Sequence, residues 1–174
     1  MLKNFKNSFY EFKKTRTICA CALLIAFCVV LDFATIQISA SLHVTLSFLP
    51  IAIIGYLYGP FCAGFCGALA DVLKWFANPK GPFYPHFTLS ALLIGVIFGI
   101  ILYNRKNHIV RVFVAVGIGK ILVSTLLNSV FLAYLYNIPF WLKLSEQAVK
   151  NAMLLPIEAI VLYFMCNLVD KIKG

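Results

Sequence analysis

Apolar residues run through this chain in long blocks, and polar residues gather at the blocks' ends. Ile18 to Ile36 holds a single charge, Asp32, near its far end. From Phe33 to Ala70 there is no Asp, Glu, Lys or Arg. As one helix that stretch would be about 57 Å long, roughly twice the hydrocarbon thickness of a bilayer, so it must fold back on itself. Two breaks serve this purpose. One is the Ser/Ala/His segment Ser39 to Thr45, and the other is Gly59-Pro60, which ends one helix and starts the next. The pattern predicts helices at about 18–36, 46–58, 61–77, 88–103, 112–136 and 146–170. Asn78 to Phe87 carries three prolines and a glycine and reads as a loop with a largely fixed path. The expected fold is all-α, an integral membrane bundle of six transmembrane helices in one domain spanning 1–174.

Composition strengthens this picture. Of 174 residues, 62% are hydrophobic and 12% charged, leaving no room for a separate soluble domain. The net charge of +9 forms no basic nucleic-acid module, because its lysines and arginines sit at the ends of apolar runs. Lys3, Lys6, Lys13, Lys14, Arg16, Arg105, Lys106, Arg111, Lys171 and Lys173 fall on one side of the predicted topology. Only Lys74, Lys80, Lys143 and Lys150 fall on the other. Both termini are therefore expected in the cytoplasm of a multi-pass membrane protein. Residues 1–16, basic with interleaved aromatics, are expected as an amphipathic segment on the cytoplasmic membrane surface.

Cys19, Cys21, Cys28, Cys62, Cys66 and Cys166 all lie within apolar runs, form no C-x-x-C pair and have no histidine at metal-ligand spacing. They read as small packing side chains, and neither a metal nor a cofactor is expected. Gly119-Lys120 has the ending of a phosphate-binding loop, but the glycine needed five positions earlier is Val114. No hydrolase or metalloprotease signature is present either, so an enzyme is the weaker class. Small residues recur every fourth position at Ala22/Ala26, Gly55/Gly59, Ala63/Gly67 and Ala91/Gly95/Gly99, a spacing that lets helices approach closely in lipid. Ala22/Ala26 is the pair best placed to meet a different protein.

Ionisable and amide groups inside membrane helices are costly, which makes Asp32, Asp71, Lys74, Asn128, Lys150, Asn151 and Glu158 functional candidates. On the predicted topology they fall near the midplane or outside it, as a polar pocket open outward would require. Lys120 either pairs with Glu158 or snorkels along its own helix. Aromatic residues gather on the same outer side, where an interfacial belt and a stacked planar ligand are both open readings. Trp75, four residues after Asp71 on the same helix face, is the favoured stacking ring.

Four stretches carry a family resemblance. Ser47-Phe-Leu-Pro-Ile with Tyr58-Gly-Pro, Gly67-Ala-Leu-Ala-Asp71, Pro79-Lys-Gly-Pro-Phe-Tyr-Pro-His-Phe-Thr-Leu-Ser-Ala91 and Lys150-Asn-Ala-Met-Leu-Leu-Pro-Ile-Glu158 resemble the folate-specific substrate-binding subunits (S components) of energy-coupling factor transporters. The resemblance implies a receptor that captures a vitamin from outside and works with a transmembrane scaffold subunit (EcfT-type) and two cytosolic ATPases. It also implies that Ala22 and Ala26, which match an Ala-x-x-x-Ala motif, contact the scaffold. The implied ligand contacts are Asp71, Lys74, Trp75, Phe83, Tyr84, His86, Phe87, Thr88, Asn128, Lys150, Asn151 and Glu158, with His43 in the first loop where the family carries a basic residue. Asp71 or Glu158 would accept the paired N–H groups of a pterin while Trp75 and Phe83 or Tyr84 stack on it, leaving the glutamate tail toward Lys74, Lys80, His86 or Lys150. An S component for another vitamin such as thiamin, and a small membrane enzyme or accessory protein, are the alternatives.

Overall fold

The computed structural model describes residues 8–33, 36–37, 43–44, 46–79, 83–104, 109–136 and 139–173. Residues 8–12 are helical. Then come α1 (Thr15–Phe33), a two-stranded antiparallel ribbon of β1 (Ile36–Gln37) and β2 (His43–Val44), α2 (Leu49–Tyr58), α3 (Pro60–Ala77) and α4 (Pro85–Leu102). α5 (Ile109–Ile118) passes into a π-helical stretch, Gly119–Leu127, and on into α6 (Asn128–Tyr136); α7 (Phe140–Lys173) ends the chain. Among the described residues, five helical spans are long and apolar enough to cross a membrane: Thr15–Phe33, Pro60–Ala77, Pro85–Leu102, Ile109–Leu135 and Phe140–Ile172. α2, at 10 residues, covers about 15 Å.

α2 sits between the two core clusters of the bundle. Its residues Leu49 to Gly55 are all buried, as expected of a helix apolar on every side. On one flank, Ile51 and Ile54 pack with Cys21, Ile25 and Cys28 of α1 and with Cys62, Ala63, Cys66 and Ala70 of α3. On the other, Leu49 and Ala52 join Phe98 and Leu102 of α4, Val112, Ala115 and Val116 of α5, and Ala159, Leu162 and Cys166 of α7. The cysteines behave as small core side chains: all six are free thiols and only Cys19 is exposed.

The small-residue ridges meet one another. A Cβ added at Gly95 would collide with the carbonyl of Ala63, and one at Gly99 with the backbone of Pro60. At Gly67 it would come within 2.7 Å of the Ala91 carbonyl oxygen, and at Gly55 within 2.9 Å of the Gly99 nitrogen. α2, α3 and α4 thus cross at backbone contact, which only glycine permits at these points. Gly59, at φ +91°, makes the turn between α2 and α3, and Pro60 opens α3.

Several boundaries differ from the sequence expectation. α1 ends at Phe33, and the expected break at 39–45 contains strand β2. α4 starts at Pro85 because proline fits the first helical turn, where no N–H donor is needed. α7 begins at Phe140 and continues through Pro156, whose ring lies on the exposed face. The fifth helix, expected at about 112–136, starts at Ile109 and contains the π stretch. Residues 8–12 dock on α3: Phe9 and Phe12 meet the Phe61 ring edge-on, and the Ser8 hydroxyl donates to the Tyr58 carbonyl at 2.6 Å.

Candidate ligand-binding site

Most of the candidate residues fall into three sets of contacts, between α3 and α4, between α4 and α6, and between α7 and the π stretch. On α3, one turn separates Asp71 from Trp75. Thr88, in the first turn of α4, donates its hydroxyl to Asp71 Oδ2 at 2.8 Å, which fixes the carboxylate's orientation. Lys74 donates to the Ser47 hydroxyl at 3.0 Å, tying α3 to the turn before α2. The Trp75 ring meets Phe83 edge-on at 5.3 Å and Phe76 at 5.2 Å. Carboxylate, hydroxyl and indole thus line one short stretch of wall.

The second wall joins α4 to α6. His86 stacks on Phe131, with ring centroids 3.8 Å apart and planes inclined by 10°. Tyr84 and Phe87 meet the same Phe131 ring at 5.8 and 6.3 Å. His86 lies near Asn128, yet neither of its buried ring nitrogens meets hydrogen-bond geometry with any described residue. One turn deeper, Ser90 donates to Asn128 Oδ1 at 2.9 Å, which leaves the amide nitrogen on the other arm as a donor.

The third wall is α7 against the π stretch. Asn151 Nδ2 donates to Thr125 Oγ1 at 2.9 Å. Lys120 and Glu158 pair at 2.9 Å with side-chain exposures of 10% and 12%, so Lys120 meets its partner rather than snorkelling. Lys150 is half-buried on α7, within electrostatic range of both. His43 is placed in β2, and its side chain and Lys80 lie outside the described residues.

An apolar groove of about 570 Å³ lies beside this cluster, lined by His86, Leu89, Leu122, Leu126, Leu127, Val130, Phe131 and Tyr134. Leu89, Leu122, Leu126, Val130 and Tyr134 are exposed residues of the membrane-facing surface. The groove carries no carboxylate or amide and is unsuited to a polar ligand, and it shares His86 and Phe131 with the second wall. Ser47, Ser90, Thr125 and Phe131 are neighbours of the site that the sequence reading missed. Phe131, one turn from Asn128, was the one that helical spacing could have supplied.

The profile of the family described as "ECF transporter, substrate-specific component" matches residues 16–169. The chain belongs to that family. As an ECF substrate-specific component it is a transport subunit, not an enzyme, and a multi-pass protein of the bacterial cell membrane. It is 38% identical over 141 residues to a folate transporter FolT of Clostridium novyi (strain NT), covering 81% of each chain. It is 28% identical over 159 residues to a folate transporter FolT of Leuconostoc mesenteroides, covering 88% of this chain and 85% of the relative. Among solved structures, a crystal structure of FolT bound with folic acid superimposes with a TM-score of 0.80 at 30% identity. That match covers 88% of this ECF component and 94% of the FolT chain.

Proposed function

We propose that this ECF component captures folate or a reduced folate from outside the cell and hands it to partner subunits that supply the energy. The observation that carries this reading is the Asp71–Thr88 carboxylate beside the Trp75–Phe83 ring pair, in a chain that shares its fold with a FolT bound to folic acid. A pterin offers its 2-amino group and a neighbouring ring N–H to one carboxylate as a paired donor edge. Asp71 suits that role better than Glu158, which is already neutralised by Lys120. Trp75 and Phe83 supply the aromatic faces. In this reading the Asn128 and Asn151 amides and Glu158 serve the ring system from α6 and α7, and Lys74, Lys150 and His86 serve the glutamate tail.

In this reading α2 with its flanking segments makes the sixth pass, and both termini are cytoplasmic. Ala22 and Ala26, both exposed on α1, face the transmembrane scaffold subunit, and two cytosolic ATPases complete the transporter.

Titration of the purified protein with folic acid, followed by tryptophan fluorescence, tests the proposal. Saturable quenching is expected, and Trp75→Ala should weaken binding by at least about tenfold, the loss of one stacked ring. A protein that quenches with thiamin and not with folic acid would refute the assignment.

A further inference from the structure

We propose that the π-helical stretch Gly119–Leu127 sets the register of the α7 wall, and that Thr125 is the positioning residue that fixes the Asn151 amide toward the ligand. The proposal rests on the reading that this wall faces a folate.

Lys120 and Thr125 are five residues apart, yet both bond to α7, Lys120 to Glu158 and Thr125 to Asn151. In an α-helix five residues turn through about 500°, which would leave the two side chains about 140° apart. Ser124 would then share the face of Lys120. A turn closed by i→i+5 bonds takes up one residue more than an α-turn, and this returns Thr125 to that face. On α7, Asn151 and Glu158 are seven residues apart, close to two α-helical turns, so they already share a face. The two faces line up because one of the helices is widened, and the long Lys120 side chain spans the difference in rise between five residues and seven.

The register has a chemical consequence at Asn151, which is 8% exposed. With Nδ2 donating to Thr125 Oγ1, its carbonyl oxygen occupies the other arm of the planar amide and is available there as an acceptor. Without the Thr125 hydroxyl the amide loses its anchor on the π stretch, and both its position and its orientation toward the ligand become free. Thr125 therefore acts on the ligand through Asn151.

The test uses the full-length protein in detergent, with folic acid titrated by tryptophan fluorescence and the melting midpoint measured without ligand. Thr125→Val should weaken folic acid binding by about fivefold to tenfold as the Asn151 amide loses its fixed place, and lower the unliganded midpoint by only about 2–4 °C, the worth of one buried hydrogen bond. Thr125→Ser should restore binding to within about twofold, and Ser124→Ala should match wild type. Equal binding by wild type and Thr125→Val overturns the proposal alone. So does an effect of Ser124→Ala in place of Thr125→Val, which would mean an α-helical register, and so does a Thr125→Val loss that Thr125→Ser fails to rescue. A wild-type protein that takes up no folic acid overturns the functional reading and this proposal with it.

Discussion

Lys120 and Glu158 face each other at 2.9 Å within the bundle, each shielded from solvent. A buried pair of this kind adds little net stability, because desolvation offsets most of the attraction, but removing one partner strands the other's charge. Lys120→Met should therefore lower the melting midpoint by roughly 10 °C. Lys120→Met combined with Glu158→Gln should recover most of that loss. Equal midpoints for the single and double variants in thermal scans would show that the pair is not coupled. The sequence marked both residues as costly in a membrane. It left the pairing open, because the partners lie 38 residues apart on helices whose mutual rotation the chain pattern does not encode. Asp71 was more legible: its distance to Trp75 is fixed by a single helix, whereas its partner Thr88 comes from across a loop.

Helix contacts show the same division. The glycine and alanine spacing on α3 and α4 announced a close crossing, and the structure places those ridges against each other. Gly95→Val should cost about 3 kcal/mol or more, since its Cβ collides with the Ala63 backbone, which has nowhere to move. Gly117→Ala is the matched control. Its Cβ meets only the Leu155 side chain, at 3.7 Å, and the variant should melt within about 2 °C of wild type. Similar midpoints for the two variants would remove the crossing as a source of stability. The π stretch was illegible by comparison: Gly119–Leu127 has the apolar composition of any membrane helix, and only the partners of Lys120 and Thr125 reveal the widened turn.

Across the whole chain, hydropathy sufficed for the long membrane helices, because an unbroken apolar run has one stable solution in lipid. What it could not supply is the central place of α2, a helix too short to stand out by length yet buried on both flanks. The assembled molecule turns one face of α1 inward through Thr17, Cys21, Ile25 and Cys28 and leaves Ala22 and Ala26 on the other. Ala22→Trp with Ala26→Trp should spare folic acid binding and abolish uptake by the reconstituted transporter. Full uptake would place the scaffold contact elsewhere. Cys19 stands one turn before Ala22 on that same outward stripe, while the other five cysteines are buried. The natural chain thus carries a single reachable thiol beside its proposed docking face, so one chromophore could be attached there to watch assembly with no cysteine engineered in or out.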